Sequence, residues 1–598
     1  MVQHLWTLHD WQQAYVTQHI QIQDLYAYVA SIHNDDHAWI HLADPAQLQQ
    51  QIEVVLQRQQ QGEALALFGI PFAVKDNIDV AGFPTSAACI ELTYIAEQDA
   101  TVIAKLKQAG AIVIGKTNLD QFATGLVGIR SPFGAVKNSF NPEYISGGSS
   151  AGSSVVVAKG VVPFALGTDT AGSGRVPAGH NNIVGLKPTK GWFSTHGLLP
   201  ACRTLDVISI FALSTDDAWQ VAQTIQGFDA LDEYSRAHPE NTPSQFSKAK
   251  IAIPDQLEFY GDEESRKAFA IAVERVKALG FEVEVIDFTY FNQLANALYN
   301  QAWVAERAVA IDRVIDRNKA LTVIQNIIAK ADEFTATDAL QAEYDRALLS
   351  QKINGVLQQF DALLVPTAPT IYRIAEVEAD PITKNSHMGA YTNFVNLADL
   401  SALALPNVVR KDGLPSGITL IAPAWHDQAL AHFGQIWQAH LDVTLGTSKQ
   451  GYLKTIDVTS HHTVKLAVVG AHLTGMPLNF QLTTRRATLV QKTRTAPHYK
   501  LYALNNSHPP KPGLQFNADG QAIEVEVWDV PMALFGKIVA EVPPPLGIGN
   551  VQLEDGTWVK GFICEGYAFG DAKDISHFGG WRSYIQSLQS STASNSTV

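Results

Sequence analysis

The sequence predicts an α/β protein: a layered domain with a central mixed sheet covered by helices, followed by a small, mainly antiparallel α+β domain. Two short apolar runs, Phe68–Val74 and Ala111–Gly115, are typical of buried strands, and the helical pattern of Thr101–Gly110 lies between them. This order predicts a β-α-β unit. A chain of 598 residues is too long for one ordinary core, so more than one domain is expected.

The rest of the first domain follows from the same signals. Residues 1–60 are rich in glutamine and predict helices. A helical pattern over Glu264–Leu279, ended by Gly280, separates two further strand-like segments. The segments that predict additional strands are Ile251–Ile253, Phe281–Ile286, Ala362–Val365 and Ile418–Ile421. Buried strands that alternate with helices are covered on both faces, so we expect one layered domain over residues 1–445.

The composition changes after residue 445. The segment 446–462 begins polar and glycine-bearing, and we assign it to a linker. The strand-like segments within the predicted domain 463–590 are Leu466–Gly470, Tyr499–Leu504, Ile523–Trp528 and the hairpin Val551–Ile563. Few helices separate them, one near Met532–Glu541 and one near the end, which predicts an α+β domain. Residues 591–598 are rich in Ser, Thr and Asn and predict a disordered tail.

Composition excludes several classes of partner. The chain has 43 basic and 58 acidic residues and a formal charge of −15, which disfavours nucleic acid and anionic membranes. Three widely separated cysteines predict neither a disulfide framework nor a CxxC metal site. The 19 histidines show no HExxH pattern, so no metal and no cofactor are expected. Neither a signal-peptide pattern nor a membrane-spanning apolar run occurs, so we expect a cytoplasmic protein.

Two glycine-flanked serines and one lysine carry the predicted chemistry. Lys75 ends the apolar run Phe72–Lys75, where burial disfavours the ammonium form. A neutral Lys75 accepts a proton from Ser149, and Ser149 accepts one from Ser173, which activates Ser173 without any histidine. The candidates for an oxyanion hole are the backbone amides of Thr170, Ala171, Gly172 and Ser173.

The glycine- and serine-rich stretch and Lys75 also fit other interpretations. Composition alone favours a flexible loop. A phosphate-binding loop is disfavoured, because neither Gly-x-x-x-x-Gly-Lys-Ser/Thr nor a Gly-x-Gly-x-x-Gly that opens a βα unit is present. A buried lysine is commonly an ion-pair partner, and Asp76 stands beside Lys75.

Three motifs decide between these alternatives, because they resemble those of the amidase signature family. The family shows Lys-Asp-Asn, Gly-Gly-Ser-Ser-Gly-Gly and Gly-Thr-Asp-Thr-Gly-Gly-Ser-x-Arg-x-Pro, and matching segments lie here at 75–77, 147–152 and 167–177. The resemblance implies a serine hydrolase that acts on carboxylic amides. It implies that Ser173 is the nucleophile and that Lys75 is the general base and later the general acid. It also implies that Ser149, which follows a cis peptide bond, is the bridging serine between these two residues.

The chain departs from the family pattern at two positions. Ala151 and Ala171 stand where glycine is usual. Both side chains are small, so we expect them to narrow the loop without disabling it. Asp169 and Arg175 resemble family positions that brace the loop, and we assign them a structural role.

A further cluster bears on the substrate. Leu298–Arg307 predicts a helix, on which Tyr299 and Arg307 lie about two turns apart. The planar guanidinium of Arg307 is suited to a carboxylate. A packing tyrosine and a surface arginine paired with Glu306 are the alternative interpretation.

The C-terminal part narrows the substrate by resemblance. With the segment 298–307, its segments that resemble the allophanate hydrolase family are Val468–Asn479, Thr495–Leu504 and Pro543–Leu553. The resemblance implies that allophanate, a urea bearing a carboxylate, is the small-molecule substrate, held by Tyr299 and Arg307. It also implies a gamma-glutamylcyclotransferase-like C-terminal domain. This domain would promote decarboxylation of the product N-carboxycarbamate, so that ammonia and carbon dioxide are the net products.

Further expectations concern the histidines of the C-terminal domain, the partners of the chain and its alternative functions. His498 is the candidate for proton transfer in the C-terminal domain and His472 a weaker one, although both also fit packed histidines. A homodimer and a urea carboxylase acting upstream are the expected partners. The alternatives are a broad-specificity amidase, the amidase-fold component of a tRNA-dependent amidotransferase, and an inactive binding module. The C-terminal segments disfavour the first two, the −15 charge also disfavours the second, and the presence of all three reactive residues disfavours the third.

Overall fold

The computed structural model describes residues 6–239, 242–441, 444–448, 463–483, 487–504 and 510–593. The chain divides into two compact units, Met1–Ile456 and Asp457–Val598. Most of the predicted linker 446–462 lies outside the described residues. The predicted disordered tail also lies largely outside them, apart from residues 591–593, which belong to the last helix.

The first unit contains strands of two to ten residues. In the part of the chain that is described, they are β1 Trp39–Leu42, β2 Pro71–Lys75, β3 Pro84–Thr85, β4 Tyr94–Ile95, β5 Ile112–Thr117, β6 Phe164–Asp169, β7 Val184–Lys187, β8 Val207–Ala212, β9 Lys250–Pro254, β10 Glu282–Ile286, β11 Ala362–Pro366, β12 Leu400–Val409 and β13 Pro415–Pro423.

Helices alternate with these strands along much of the unit. Those within the described residues are α1 Leu8–Val16, α2 Asp24–Ala30, α3 Pro45–Gln60, α4 Thr101–Gln108, α5 Ala151–Ala158, α6 Val176–His180, α7 Thr215–Ile225, α8 Glu263–Ala278, α9 Thr289–Asn300, α10 Val304–Asp312, α11 Thr322–Ile328, α12 Ala336–Leu357, α13 Ile374–Ala379, α14 Thr383–Met388, α15 Phe394–Leu397 and α16 Asp427–Ala439.

One large mixed sheet organises this unit. Its order is β1-β5-β2-β6-β8-β7-β12-β13-β11-β9-β10 among the described strands. β2 is parallel to both β5 and β6, whereas β6 and β8 are antiparallel. Helices including α5, α7 and α16 pack against it. The predicted layered α/β fold with a mixed central sheet is confirmed.

The central strands form where apolar residues run without interruption. All five residues of β2 and all six of β6 are buried. Phe72 and Phe164 face each other in register and stack with ring centroids 5.2 Å apart. Continuous burial is expected of strands covered on both faces, and it carries the last residue of β2, Lys75, into the interior.

The N-terminal region differs from the prediction in one element. Residues 1–60 were expected to be helical, and β1 lies among the helices and pairs antiparallel with β5 at the edge of the sheet. Four residues are too few for a periodicity that distinguishes a strand from a helix. The pairing partner, which decides the conformation, lies about 75 residues further along the chain.

The second unit is smaller and mainly antiparallel, as predicted. The strands within its described residues are β14 Thr463–Val468, β15 Thr488–Arg494, β16 Tyr499–Ala503, β17 Pro512–Phe516, β18 Glu524–Pro531, β19 Leu546–Gln552, β20 Trp558–Cys564 and β21 Lys573–Asp574, and the helices are α17 Phe480–Thr483, α18 Met532–Ala540 and α19 Trp581–Ala593. The described strands form sheets in the orders β15-β18-β14-β20-β19 and β17-β16-β21. Of these pairs, β14 and β20 run parallel. None of the described helices is long and apolar enough to cross a membrane.

Candidate active site

Lys75 lies at the end of β2 with its side chain completely buried. Its Nζ donates hydrogen bonds to Ser149 Oγ at 2.8 Å and to Thr168 Oγ1 at 2.6 Å. Among the described residues no carboxylate lies within ion-pair distance of this amine. Two hydroxyl groups therefore hold Lys75. The ion pair with Asp76, which the sequence allowed, is not formed in the described structure.

Burial makes this lysine a usable base. Removal from water lowers the pKa of Lys75 to about 7, although the charges of Asp206, Asp120 and Asp169 oppose the shift. A substantial fraction of the amine is then neutral near pH 7. The neutral amine has a lone pair that accepts the proton of Ser149, while one of its N–H groups donates to Thr168.

Ser149 is presented by a tight glycine loop before α5. The peptide bond between Gly148 and Ser149 is cis, as the family resemblance implies. A Cβ at Gly148 would collide with the carboxylate of Asp120, so the close approach of these two segments requires glycine. Asp120 in turn accepts the backbone amides of Val127, Gly128 and Arg130. Sequence analysis did not single out Asp120, which fixes the loop behind Ser149.

The loop that carries Ser173 joins β6 to α6 and is braced by one ion pair. Asp169 and Arg175 are both completely buried and make two hydrogen bonds of 2.9 Å. Burial alone would raise the pKa of the Asp169 carboxyl, but the charge and hydrogen bonds of Arg175 hold it below its ordinary value. The predicted structural role of this pair is confirmed.

The same loop corrects the predicted oxyanion hole. The amide of Gly172 donates to Asp169 Oδ1 at 2.9 Å, so it is committed to the brace and is not free to bind an oxyanion. The amides of Thr170, Ala171 and Ser173 make no hydrogen bond to another described residue. These three groups remain the candidates for binding negative charge on a substrate oxygen.

Ser173 itself is 2% exposed. No hydrogen bond joins its hydroxyl to another residue of the described chain. The step that passes its proton to Ser149 therefore stays a prediction. Ala171 and Ala151 have ordinary negative φ, and Ala151 is the first residue of α5, so neither departure from the family pattern strains the backbone.

The structure brings Tyr299 and Arg307 together, but by a different route from the one predicted. A single helix over 298–307 is wrong, because α9 ends at Asn300 and α10 begins at Val304. Eight residues of continuous helix would span about 12 Å. The break instead lets the chain turn back, so that Arg307 Nη2 donates to the Tyr299 hydroxyl at 3.1 Å.

Arg307 is a buried cation that makes no ion pair with a carboxylate of the described chain, although the charges of Asp206 and Glu306 favour its charged form from a greater distance. It is 1% exposed, and its Nη1 donates to Thr124 Oγ1 at 3.0 Å. Its Nε has no hydrogen-bond partner in the described structure, and no described carboxylate forms an ion pair with it. The surface pairing with Glu306 is wrong, since the Glu306 carboxylate accepts from the amide and hydroxyl of Thr204. A buried guanidinium in this state is suited to a ligand carboxylate.

Further residues belong to the site although sequence analysis did not select them. Thr168 holds Lys75, and Thr124 holds Arg307. Asp206 accepts a hydrogen bond from the Thr170 hydroxyl and the amides of Ala201 and Cys202, and burial raises its pKa to about 6. Only Thr168 had a signal, because it lies inside the Gly-Thr-Asp-Thr motif.

The second unit has its own cavity, of about 170 Å³. Its lining includes His472, Lys511 and Glu541. The His472 ring stacks on Phe562 with centroids 4.8 Å apart, and its Nε2 lies 2.7 Å from Gln481 Oε1. His498 is exposed and is not among the residues that line this cavity. No group of three or more His, Cys, Asp or Glu among the described residues is arranged to hold a metal ion.

A lysine poised against a serine on a glycine loop, beside a second serine loop with unpaired amides, is the arrangement of an amide hydrolase that acts without a histidine. The comparisons with known proteins agree. The chain belongs to the amidase family, whose model, described as Amidase, matches residues 21–431. A second model, described as Allophanate hydrolase C-terminal domain, matches residues 464–586.

Individual relatives extend over both units. Urea amidolyase of Lachancea kluyveri is 45% identical over 94% of this chain, which covers 32% of that protein. The chain thus spans about a third of the length of the urea amidolyases that it matches. The structure of Kluyveromyces lactis allophanate hydrolase is 44% identical, with a TM-score of 0.76, and the match covers 98% of this chain and 100% of that one. The structure of the K. lactis urea amidolyase is also 44% identical, with a TM-score of 0.75, over 98% of this chain and 37% of that one.

Proposed function

We propose that this chain hydrolyses allophanate to N-carboxycarbamate and ammonia. The observation that carries the proposal is Arg307, a buried guanidinium whose described partners are two hydroxyls and no carboxylate. A neutral amide would leave this guanidinium without a carboxylate at contact distance, and only the more distant charges of Asp206 and Glu306 would offset it. A carboxylate-bearing urea compensates it. The match along the whole of the Kluyveromyces lactis allophanate hydrolase supports the same substrate.

The reaction follows from the order of groups in the site. Lys75 accepts the proton of the Ser149 hydroxyl, and Ser149 accepts the proton of the Ser173 hydroxyl. Ser173 Oγ then forms a bond to the carbonyl carbon of allophanate that carries the terminal NH2 group. The amides of Thr170, Ala171 and Ser173 receive the charge that develops on the carbonyl oxygen. The proton returns through the same relay to the leaving nitrogen, the C–N bond breaks, and ammonia departs. Water then cleaves the acyl ester and releases N-carboxycarbamate.

The role of Arg307 predicts a selective loss. We expect Arg307→Met to lower kcat/KM for allophanate by about tenfold to a hundredfold, the value of a charge-assisted hydrogen-bonded contact. Turnover of biuret, which replaces the carboxylate with a neutral amide, should change little. Ammonia release from both substrates measures this directly. Equal losses on both substrates would contradict the assignment and favour a broad-specificity amidase.

A second step is proposed for the C-terminal unit, which we infer to have the gamma-glutamylcyclotransferase-like fold. N-carboxycarbamate loses carbon dioxide when a C–N bond breaks and its nitrogen gains a proton. The remaining carbamate breaks down in the same way, so ammonia and carbon dioxide are the net products. The cavity lined by His472, Lys511 and Glu541 offers proton-bearing groups for this step. It favours His472 over His498 as the proton-transfer residue.

We propose that the substrate comes from a reaction that carboxylates urea. The similarity to urea amidolyases, of which this chain spans about a third, supports a urea carboxylase as the upstream activity. We place both reactions in the cytoplasm. All three cysteines are free thiols in the structure, which suits a reducing compartment.

We also propose a homodimer. The helix α12 exposes a stripe formed by Leu340, Tyr344 and Leu348, which are 58%, 63% and 52% exposed. Residues spaced by four lie on one face of a helix, and an apolar stripe of this kind is typical of a protein–protein contact. Sedimentation of the wild-type chain and of Tyr344→Glu measures whether the stripe joins two copies.

A further inference from the structure

Arg130 is a second buried arginine near the substrate site, and its side chain is not used by the mechanism. It is 4% exposed. Its Nη1 donates to the Thr124 carbonyl oxygen at 3.0 Å and its Nη2 to the Pro381 carbonyl oxygen at 2.6 Å. Its Nε has no hydrogen-bond partner in the described structure. Asp120, the nearest acid on its own loop, accepts the Arg130 backbone amide and forms no ion pair with the guanidinium.

Arg130 and Arg307 meet at one residue. Arg307 donates to the Thr124 hydroxyl, and Arg130 donates to the Thr124 carbonyl oxygen. Two guanidiniums with no described carboxylate partner thus converge on a single threonine. The charge of Arg307 disfavours the charge of Arg130, while Asp120 and Asp206 offset the two only from beyond ion-pair distance. A mobile anion that visits both guanidiniums gives them a partner at contact distance.

A cavity of about 160 Å³ lies against Arg130. Its charged lining consists of Arg130 and the exposed Lys330, and no Asp or Glu is among its lining residues. Tyr299 lines the same cavity and accepts the hydrogen bond of Arg307, so this space reaches the residue that holds the proposed substrate. Its carboxamide-bearing lining residues are Asn296, Asn300, Asn385 and Asn393.

The positive lining contrasts with its surroundings. The chain carries a formal charge of −15. An adjoining cavity of about 620 Å³ shares Ala295, Asn296, Ser386 and Asn393 with the first, but its charged lining residues are Asp255 and Glu258, with no Lys or Arg. A basic pocket in an acidic protein concentrates small anions locally. The asparagine side chains offer donors and acceptors to an amide group on the same anion.

We propose that the Arg130 cavity is an anion-capture subsite, in which the carboxylate of the incoming substrate binds between Arg130 and Lys330 before it passes Tyr299 to Arg307. The inference rests on the proposed function, because it takes a small carboxylate-bearing amide as the ligand. Arg130 and Lys330 touch the substrate on entry and leave the chemical step unchanged. Both are specificity residues.

The test measures how salt and charge affect turnover of allophanate. Lys330→Gln should raise KM about two- to fivefold, the scale of one exposed charge pair, with kcat unchanged. It should also flatten the decline of kcat/KM with increasing ionic strength. Arg130→Gln should raise KM about tenfold, and Arg130→Lys should restore part of the loss. Lys319→Gln removes the same charge from an exposed lysine outside the cavity and should change neither quantity.

Two results would overturn the subsite. One is a salt dependence in Lys330→Gln equal to that of the wild-type protein. Because the Lys330 side chain is exposed, misfolding of this variant would not explain that result. The other is a fall in kcat at unchanged KM in a folded Arg130→Gln, which would make Arg130 a brace of the loop at Thr124. Failure of the proposed substrate is distinguishable, because Arg307→Met would then harm biuret and allophanate equally. Failure of the subsite alone leaves the selectivity of Arg307 intact.

Discussion

At the scale of single residues, hydrogen-bond partners distinguish Lys75, the proposed base, from a second buried lysine, Lys187. The pKa values of the two lysines do not. Lys75 and Lys187 are both completely buried, and burial lowers the pKa of each to about 7. Lys187 donates to the carbonyl oxygens of Pro188 and Leu400, which cannot give up a proton. Lys75 donates to hydroxyls, and Ser149 among them has a proton to transfer. Lys187 is suited to a structural role, and Lys75 is suited to be a base.

The lowered pKa of Lys75 predicts the pH dependence of turnover. The base must be neutral, and the neutral amine predominates above a pKa of about 7. We therefore expect kcat/KM for ammonia release to rise through about pH 7 and to level off above it. Lys75→Ala should lose this rise together with most of the activity. A profile that falls through pH 7, or that survives in Lys75→Ala, would contradict the assignment.

Sequence motifs predict the reactive residues but not the residues that contact them in the fold. Ser149 and Ser173 lie in glycine-rich motifs, and Lys75 begins the Lys-Asp-Asn motif after a buried apolar run. Asp206 and Thr124 have no such pattern, because their roles come from segments that meet only in the fold. A buried polar residue looks like any other in sequence until its partner is known.

At the scale of elements, the loop between β6 and α6 depends on its backbone geometry. Gly172 has a φ of 144°, a region that favours glycine, and a Cβ there would collide with the Thr392 side chain. Its amide is also bonded to Asp169. The neighbouring Ala171 has an ordinary φ. The two positions therefore tolerate substitution very differently, although the family has glycine at both.

This difference gives a matched pair of variants in one loop. Gly172→Ala should distort the loop and lower kcat by about a hundredfold or more, the scale of a lost oxyanion donor, because the candidate donor amides of Ala171 and Ser173 flank it. Its free energy of unfolding should also fall. Ala171→Gly should keep near wild-type kcat. Ammonia release and chemical denaturation of both variants measure the effects, and full activity in Gly172→Ala would refute the geometry.

Strands were easier to predict than the connection between α9 and α10. Buried strands such as β2 show as continuous apolar runs, because helices cover both faces of the sheet. The break at Gln301–Trp303 contains neither Gly nor Pro, so no local signal ends the helix. Tertiary packing decides it, and the contact of Tyr299 with Arg307 depends on that break.

At the scale of the whole molecule, the chain joins two units with separate cores and separate cavities. The amidase family accounts for the first unit and the allophanate hydrolase C-terminal family for the second. The proposed division of labour assigns the release of ammonia to the first unit and the breakdown of the product to the second. The sequence predicts this division only through its resemblance to known families. It does not locate either cavity, because each cavity is formed by the fold.

The division predicts that the two steps can be separated in the full chain. His472→Ala should leave the first ammonia release near the wild-type rate and slow the release of carbon dioxide, since His472 lines the second cavity. His498→Ala is the matched control, because His498 is exposed and lies outside that lining. Stopped-flow detection of carbon dioxide with allophanate measures both. Slower carbon dioxide release in His498→Ala alone would restore His498 as the functional residue.

The most direct test of the whole mechanism is ammonia release from allophanate by Ser173→Ala. The matched control is Ser209→Ala, since Ser209 is a buried serine whose hydroxyl also has no hydrogen-bond partner in the described structure. We expect Ser173→Ala to lose activity by about 10⁴-fold or more, as for a nucleophile, and Ser209→Ala to retain it. Turnover by Ser173→Ala at the wild-type rate would contradict the account.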